Sequence, residues 1–143
     1  MIVSQLLKTK GSQVYTVSKE TAVVEISSLL ASKRIGAAVV VDEKGSVQGI
    51  ISERDIVCGM SKYGAEVLDL SAEALMTKNV IMRDSGSHID ELMREMSNSR
   101  IRHLPILDEG RLVGLISIGD VVKNRVEELQ AEGDMLREYI ATG

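Results

Sequence analysis

The stretch RHLPILDEGRLVGLISIGDVV, residues 102–122, is the most informative part of the sequence, because two apolar runs are separated by a turn and followed directly by a helix start. The turn is Asp-Glu-Gly, in which the glycine supplies the positive φ angle that a tight hairpin needs. The second run ends at Ser117, and Asp120 follows three residues later. The pattern predicts two antiparallel strands that lead into a helix.

An earlier stretch, IGAAVVVDEKGSVQGIISERDIV at residues 35–57, has the same pattern. The two stretches align at an offset of 66, which falls to 65 after a one-residue deletion in the hairpin. Self-similarity of this kind indicates two copies of one structural unit. The matched pairs include Val14 with Val80, Ile35 with Ile101, Asp42 with Asp108, Gly49 with Gly114, Ser52 with Ser117, and Asp55 with Asp120.

Each copy also contains an amphipathic helix before its hairpin, at residues 21–34 and 87–100. The order in each copy is therefore strand, helix, strand, strand, helix. A unit of about 60 residues buries only about 60% of its unfolded surface, so we expect the two copies to pack together about a pseudo-twofold axis. The fold class predicted is α+β. The predicted divisions are a first unit with a short N-terminal helix (1–68), a second unit (69–126) and a helical extension (127–143).

The C-terminal extension continues the last helix with an apolar heptad spacing. A helix longer than its unit needs is expected to pack against a partner chain or against the short N-terminal helix. The heptad positions are Val122, Val126, Leu129, Gly133, Leu136 and Ile140.

Composition argues against several classes of function. The net charge of −4 disfavours general attraction to nucleic acid phosphates. No apolar run approaches the roughly 20 residues of a membrane span, and no secretory signal is recognisable, so a cytoplasmic protein without membrane association is predicted. One Cys and two His residues cannot form a Cys/His metal cluster, and no metal site is predicted. No nucleophile elbow or P-loop occurs, so an enzyme is not predicted.

Each hairpin is followed by the same motif: Gly, two apolar residues, Ser, any two residues and Asp. A chain with two copies of this motif resembles the paired cystathionine beta-synthase (CBS) domains that are called Bateman modules. The likeness covers residues 1–126 and is greatest to small stand-alone bacterial members. It implies a regulatory module that binds an adenosine-containing ligand, such as AMP, ADP, ATP, NAD(H) or S-adenosylmethionine, in clefts between the units. It also implies a homodimer and signalling to an effector protein through conformation or dimer geometry. The alternative is a structural dimerisation module without a ligand.

Ser52 with Asp55, and Ser117 with Asp120, are the central candidate site residues. An ionised carboxylate can accept both hydroxyls of a ribose diol, and a helix N-terminus with a nearby hydroxyl suits a phosphate. The alternative is a capping box, in which Ser and Asp satisfy backbone groups at the helix start. Both interpretations remain open because a ligand could displace the cap.

Arg102 and His103 occupy positions that, by the resemblance, reach a ligand's phosphates. A solvated strand end that pairs with nearby acids is the alternative.

The first copy has Gly36 and Ala37 in place of Arg102 and His103, but it has Arg54 where the second copy has Gly119. We therefore expect unequal clefts, of which one binds a phosphate-rich nucleotide and the other binds weakly or stays empty. The resemblance also places apolar residues around adenine, although core packing is the alternative for each. These are Ile81, Ile101 and Leu115 in the second copy and Tyr15, Ile35 and Ile50 in the first.

Overall fold

The computed structural model describes residues 1–142 and confirms the α+β prediction. A 3-10 turn over Gly64–Asp69 joins the third and fourth helices. The helices are α1 (Val3–Lys10), α2 (Val23–Lys33), α3 (Glu53–Tyr63), α4 (Ala72–Leu75), α5 (Ile89–Ser99) and α6 (Ile118–Thr142). The strands are β1 (Thr16–Val17), β2 (Ala37–Val41), β3 (Val47–Ser52), β4 (His103–Asp108) and β5 (Arg111–Ser117).

The two hairpins confirm the sequence repeat at the level of strand register. In the first hairpin Ala37 pairs with Ser52, and in the second His103 pairs with Ser117, each at the end where the closing helix begins. Both hairpins contain a register shift at the same place, four residues into their first strand. Equal register puts the serine of each copy in the same position relative to its helix.

The first strand of the second copy is reduced to a single bridge, which differs from the prediction. In the first unit β1 pairs in parallel with β2. In the second unit only Arg83 bridges to β4, through its N–H to Pro105 O at 3.2 Å and its C=O to Leu107 N at 2.8 Å. The chain then leaves the sheet because Ser85 donates its N–H and hydroxyl to the Asp108 carboxylate, at 3.0 and 2.6 Å.

Helix α1 packs on the core of the second unit, although the sequence grouped it with the first. Its buried side chains Val3, Leu6 and Leu7 belong to the cluster formed by α5, β4, β5 and α6. The backbone N–H of Val3 also donates to Ser87 O at 2.9 Å. The three side chains are spaced along one helical face, and the second unit supplies the apolar surface that this face needs.

Helix α4 makes the reciprocal contact, since Ala72 is fully buried in the core of the first unit. Thr21 O accepts the N–H of Ala72 at 2.8 Å, and Leu70 O accepts the N–H of Val23 at 2.8 Å. The core of each unit is therefore completed by a helix that the sequence assigned to the other unit: α1 packs on the second unit, and α4 packs on the first. The exchange joins the two units into one module.

Helix α6 continues far beyond the second unit, as predicted. Val121 and Asn124 are its buried residues. The apolar side chains at the heptad positions are at least half exposed, so α1 does not cover them. They are Val122, Val126, Leu129, Leu136 and Ile140. Within residues 1–142 no helix combines the length and the apolar character that crossing a membrane requires.

Candidate functional site

Two clefts with related linings lie between the units. The first, called the Asp120 cleft, has a volume of about 420 Å³. The second, called the Asp55 cleft, has a volume of about 250 Å³. The Asp120 cleft is lined by Tyr15, Ile35 and Gly36 of the first unit and Leu115, Ser117 and Asp120 of the second. The Asp55 cleft is lined by Ile50, Ser52 and Asp55 of the first unit and Ile101, Arg102 and His103 of the second.

Each cleft therefore combines the closing helix of one unit with the strand entry of the other. The sequence grouped the candidate residues by copy, whereas the structure places Tyr15 and Ile35 beside Asp120 and places Ile101 beside Asp55. The strand entries meet at the centre, where a Cβ on Gly36 would lie 3.2 Å from His103 Nε2. This close approach explains why a small residue stands at position 36.

Two predicted site residues lie outside both linings. Ile81 packs against the core of the second unit, as the core-packing alternative proposed. Gly119 is exposed at the head of α6, where a Cβ added to it would lie 3.6 Å from the Ser117 hydroxyl oxygen. Ala37, which the sequence compared with His103, is buried and lines the Asp120 cleft.

Both Ser and Asp pairs form the capping interactions that the sequence offered as one alternative. Ser52 N donates to Asp55 Oδ2 at 2.9 Å, and Asp55 N donates to Ser52 Oγ at 3.2 Å. The corresponding distances for Ser117 and Asp120 are 2.8 and 3.2 Å. The cap occupies Oδ2 in each case, and no residue within 1–142 donates to Oδ1 of either carboxylate. Each carboxylate therefore keeps an acceptor oxygen after capping its helix.

Lys10, the last residue of α1, reaches into the Asp120 cleft, and nothing in the sequence predicted this contact. Its Nζ lies 2.6 Å from Asp120 Oδ2 and 2.6 Å from the carbonyl oxygen of Leu115. Burial raises the pKa of Asp120, but hydrogen bonds from Lys10 and Ser117 outweigh that effect and hold the pKa below its usual value. Asp120 is therefore ionised at neutral pH and paired with an ammonium group.

Cationic side chains concentrate in the Asp55 cleft. Arg54, Arg100 and Arg102 line it, and within the described chain none of them forms an ion pair. Arg100 and Arg102 both precede β4, which begins only at His103, so strand alternation does not orient them. Arg100 ends α5 in a left-handed conformation with φ of 54°. In the Asp120 cleft the corresponding free guanidinium is that of Arg34.

His103 lines both clefts and is partly buried. Burial is the largest effect on His103 and lowers its pKa. The neighbouring acids Glu53 and Asp120 raise this pKa, and the neighbouring cations Lys10 and Arg102 lower it. The net pKa lies below the ordinary value, so the imidazole is neutral at pH 7. It can then donate or accept one hydrogen bond in either cleft.

Comparisons with known proteins find relatives that match most of the chain. The family model described as CBS domain matches residues 3–61 and 72–127. The CBS-domain containing protein ATU1752 from Agrobacterium tumefaciens superposes with a TM-score of 0.85 and 44% identity, over 87% of this chain and 99% of that one. The CBS domain-containing protein YhcV of Bacillus subtilis is 29% identical over 128 residues, 90% of each chain.

A third comparison concerns a protein solved with ligands. The CBS domain pair of protein MJ0100 was crystallised in complex with 5′-methylthioadenosine and S-adenosyl-L-methionine. It superposes on this chain with a TM-score of 0.77 and 25% identity, over 86% of this chain and 98% of that one.

Proposed function

The chain belongs to the CBS-domain family, and we propose that it is a regulatory module that binds an adenosine-containing ligand between its two units. The observation that carries the proposal is the composition of each cleft. A helix start with an Asp side chain from one unit faces a strand entry from the other unit that contributes an apolar side chain, Ile35 in the Asp120 cleft and Ile101 in the Asp55 cleft. The carboxylate oxygen left free by the cap suits a ribose hydroxyl, and the apolar wall suits adenine. The ligands bound to MJ0100 support an adenosine moiety.

The Asp55 cleft is the better candidate for a phosphate-rich ligand. Three guanidinium groups without carboxylate partners surround it, at Arg54, Arg100 and Arg102. Guanidinium groups bind phosphate oxygens through charge-assisted, often bidentate hydrogen bonds. We therefore expect ATP or NADH to bind there more tightly than AMP. The Asp120 cleft, whose carboxylate is already paired with Lys10, is expected to bind more weakly.

The signal would pass to another protein through a change in shape. A ligand shifts a conformational equilibrium only by its difference in affinity for the two forms. The half-exposed apolar positions of α6 offer a surface for a second copy of the chain, so a homodimer that responds to the ligand is the proposed form. An effector protein in the cytoplasm would then recognise the change.

Thermal unfolding in the presence of AMP, ATP, NADH and S-adenosylmethionine tests the proposal. A ligand that binds only the native state adds about 2.7 kcal/mol of stability at a hundredfold excess over Kd. The shift caused by ATP should be largely lost in Asp55→Ala and kept in Asp69→Ala, which removes an equally charged but exposed side chain outside the cleft. If all four compounds leave the melting temperature unchanged, the structural dimerisation module is correct instead.

A further inference from the structure

We propose that Lys10 is a built-in competitor for the ligand's diol in the Asp120 cleft and thereby determines which ligands that cleft accepts. This inference rests on the proposed function and concerns one of its two clefts. It is carried by the contact between the Lys10 ammonium and the Asp120 carboxylate, at 2.6 Å.

The ammonium occupies the acceptor that a sugar needs. Lys10 and the N–H of Ser117 both donate to Asp120 Oδ2, at 2.6 and 2.8 Å. Lys10 also donates to the carbonyl oxygen of Leu115 at 2.6 Å, so two of its three N–H groups are in use. Only Oδ1 remains for a ligand. A vicinal diol that engages both carboxylate oxygens must therefore displace the lysine side chain.

The Asp55 cleft shows the same turn without a lysine: the second donor to Asp55 Oδ2 is the Ser52 hydroxyl at 3.0 Å, which is uncharged and can rotate toward another acceptor. The carbonyl of Ile50, which the repeat matches to Leu115, accepts the backbone N–H of Thr77 at 2.9 Å. No basic side chain within residues 1–142 lies within ion-pair distance of Asp55. The offset of 66 places Met76 at the position of Lys10, and the Met76 side chain covers Gly49 instead of entering the cleft.

Displacement requires movement of one side chain only. The backbone of Lys10 is held by α1, whose Leu6 and Leu7 are buried in the second core. The side chains of Lys10 and Asp120 are 29% and 23% exposed, so the pair is partly solvated. A pair of this kind is typically worth up to about 1 kcal/mol, which corresponds to roughly a fivefold change in affinity.

Adenosine is the probe that isolates this competition because it has the diol but no phosphate that could attract the freed ammonium. Titration calorimetry is carried out on chains that carry Asp55→Ala, so that adenosine binding in the Asp55 cleft does not contribute to the signal. Lys10→Met installs the residue found at the matched position of the second copy. Lys8→Met is the control, since it removes the same charge from the last turn of α1 without touching Asp120.

We expect Lys10→Met to tighten adenosine binding roughly fivefold. Lys8→Met should leave it unchanged, and the gain should shrink for 2′-deoxyadenosine, which lacks one diol hydroxyl. Three results would each overturn the inference: equal adenosine affinity with and without Lys10, an equal gain in Lys8→Met, and no adenosine binding by the Lys10 variant. If the unmodified chain binds ATP while any of these occurs, only the role of Lys10 fails. If it binds no adenosine compound, the proposed function fails first and the inference fails with it.

Discussion

Leu7 lies directly against the backbone of Gly114, so that a Cβ added at position 114 would stand 2.6 Å from Leu7 Cδ2. The matched glycine of the first unit, Gly49, is covered in the same way by Met76, whose Sδ would be 2.8 Å from an added Cβ. The glycine that opens each Gly-to-Asp motif thus leaves room for a side chain of the exchanged segment, Leu7 at Gly114 and Met76 at Gly49. The motif therefore has a packing requirement in addition to the proposed binding role.

Alanine at position 114 is therefore expected to destabilise the protein. Overpacking a well-filled contact typically costs about 1–3 kcal/mol, because Leu7 and α1 must shift. Gly133→Ala is the matched control: no atom lies within 4 Å of its added Cβ, and it is in the interior of α6. That change should stabilise by about 0.5–1 kcal/mol. Urea unfolding measures both, and two changes of the same sign would contradict the account.

Stability should fall when the pH is lowered below about 6.5, the ordinary pKa of histidine. Burial lowers the pKa of His103 in the folded state. The unfolded chain therefore binds the proton more readily, and stability is lost as the pH falls from that ordinary value through the lowered one. Asp120 and Asp108, whose pKa values are also lowered, lose their contributions only below about pH 4.

His103→Gln should flatten the dependence of the melting temperature on pH between about 5 and 6.5. His88→Gln serves as the control, because His88 is exposed at the start of α5. The slope of the melting temperature is the readout, so a constant loss of stability in the His103 variant does not affect the test. An unchanged slope would show that His103 is not the group responsible.

Arg102→Gln should weaken ATP binding by roughly 10- to 150-fold, since a hydrogen bond to a charged group contributes roughly 1.5–3 kcal/mol. Arg111→Gln removes the same charge from an exposed strand position outside the Asp55 cleft and should have little effect. Adenosine, which lacks phosphates, should bind both variants alike. Calorimetry would contradict the assignment if the two variants lost equal affinity for ATP.

Leu129→Glu combined with Leu136→Glu should reduce self-association, because both side chains are more than half exposed on the apolar face of α6. Burying a carboxylate in an apolar interface is costly. Gln130→Glu is the control, as it adds a charge to the same helix outside the heptad positions. Analytical ultracentrifugation at several concentrations measures the result, and an unchanged sedimentation profile for the double variant would reject the α6 interface.

The sequence predicted the features that local patterns determine. The hairpins, their closing helices and the caps at Ser52 and Ser117 follow from turn residues and periodicity, and the structure contains them. The repeat also predicted that the two units resemble each other, which the equal strand registers confirm.

Contacts between distant segments were not predictable in the same way. Lys10 and Asp120 are 110 residues apart, and no periodicity relates them. The exchange of α1 and α4 depends on which apolar surface each helix meets in three dimensions. For the same reason the sequence grouped Tyr15 and Ile101 only by copy and could not tell which carboxylate each would face: local patterns give each half of a cleft, but the packing of the units decides which halves meet.

A crystal structure of the chain grown with excess ATP is the decisive test of a nucleotide site formed by both units. We expect one nucleotide in the Asp55 cleft, with its ribose hydroxyls within hydrogen-bonding distance of Asp55 in the first unit and its phosphates beside Arg102 in the second. A nucleotide that contacts only one unit, or a crystal at saturating ATP with none in either cleft, would contradict it.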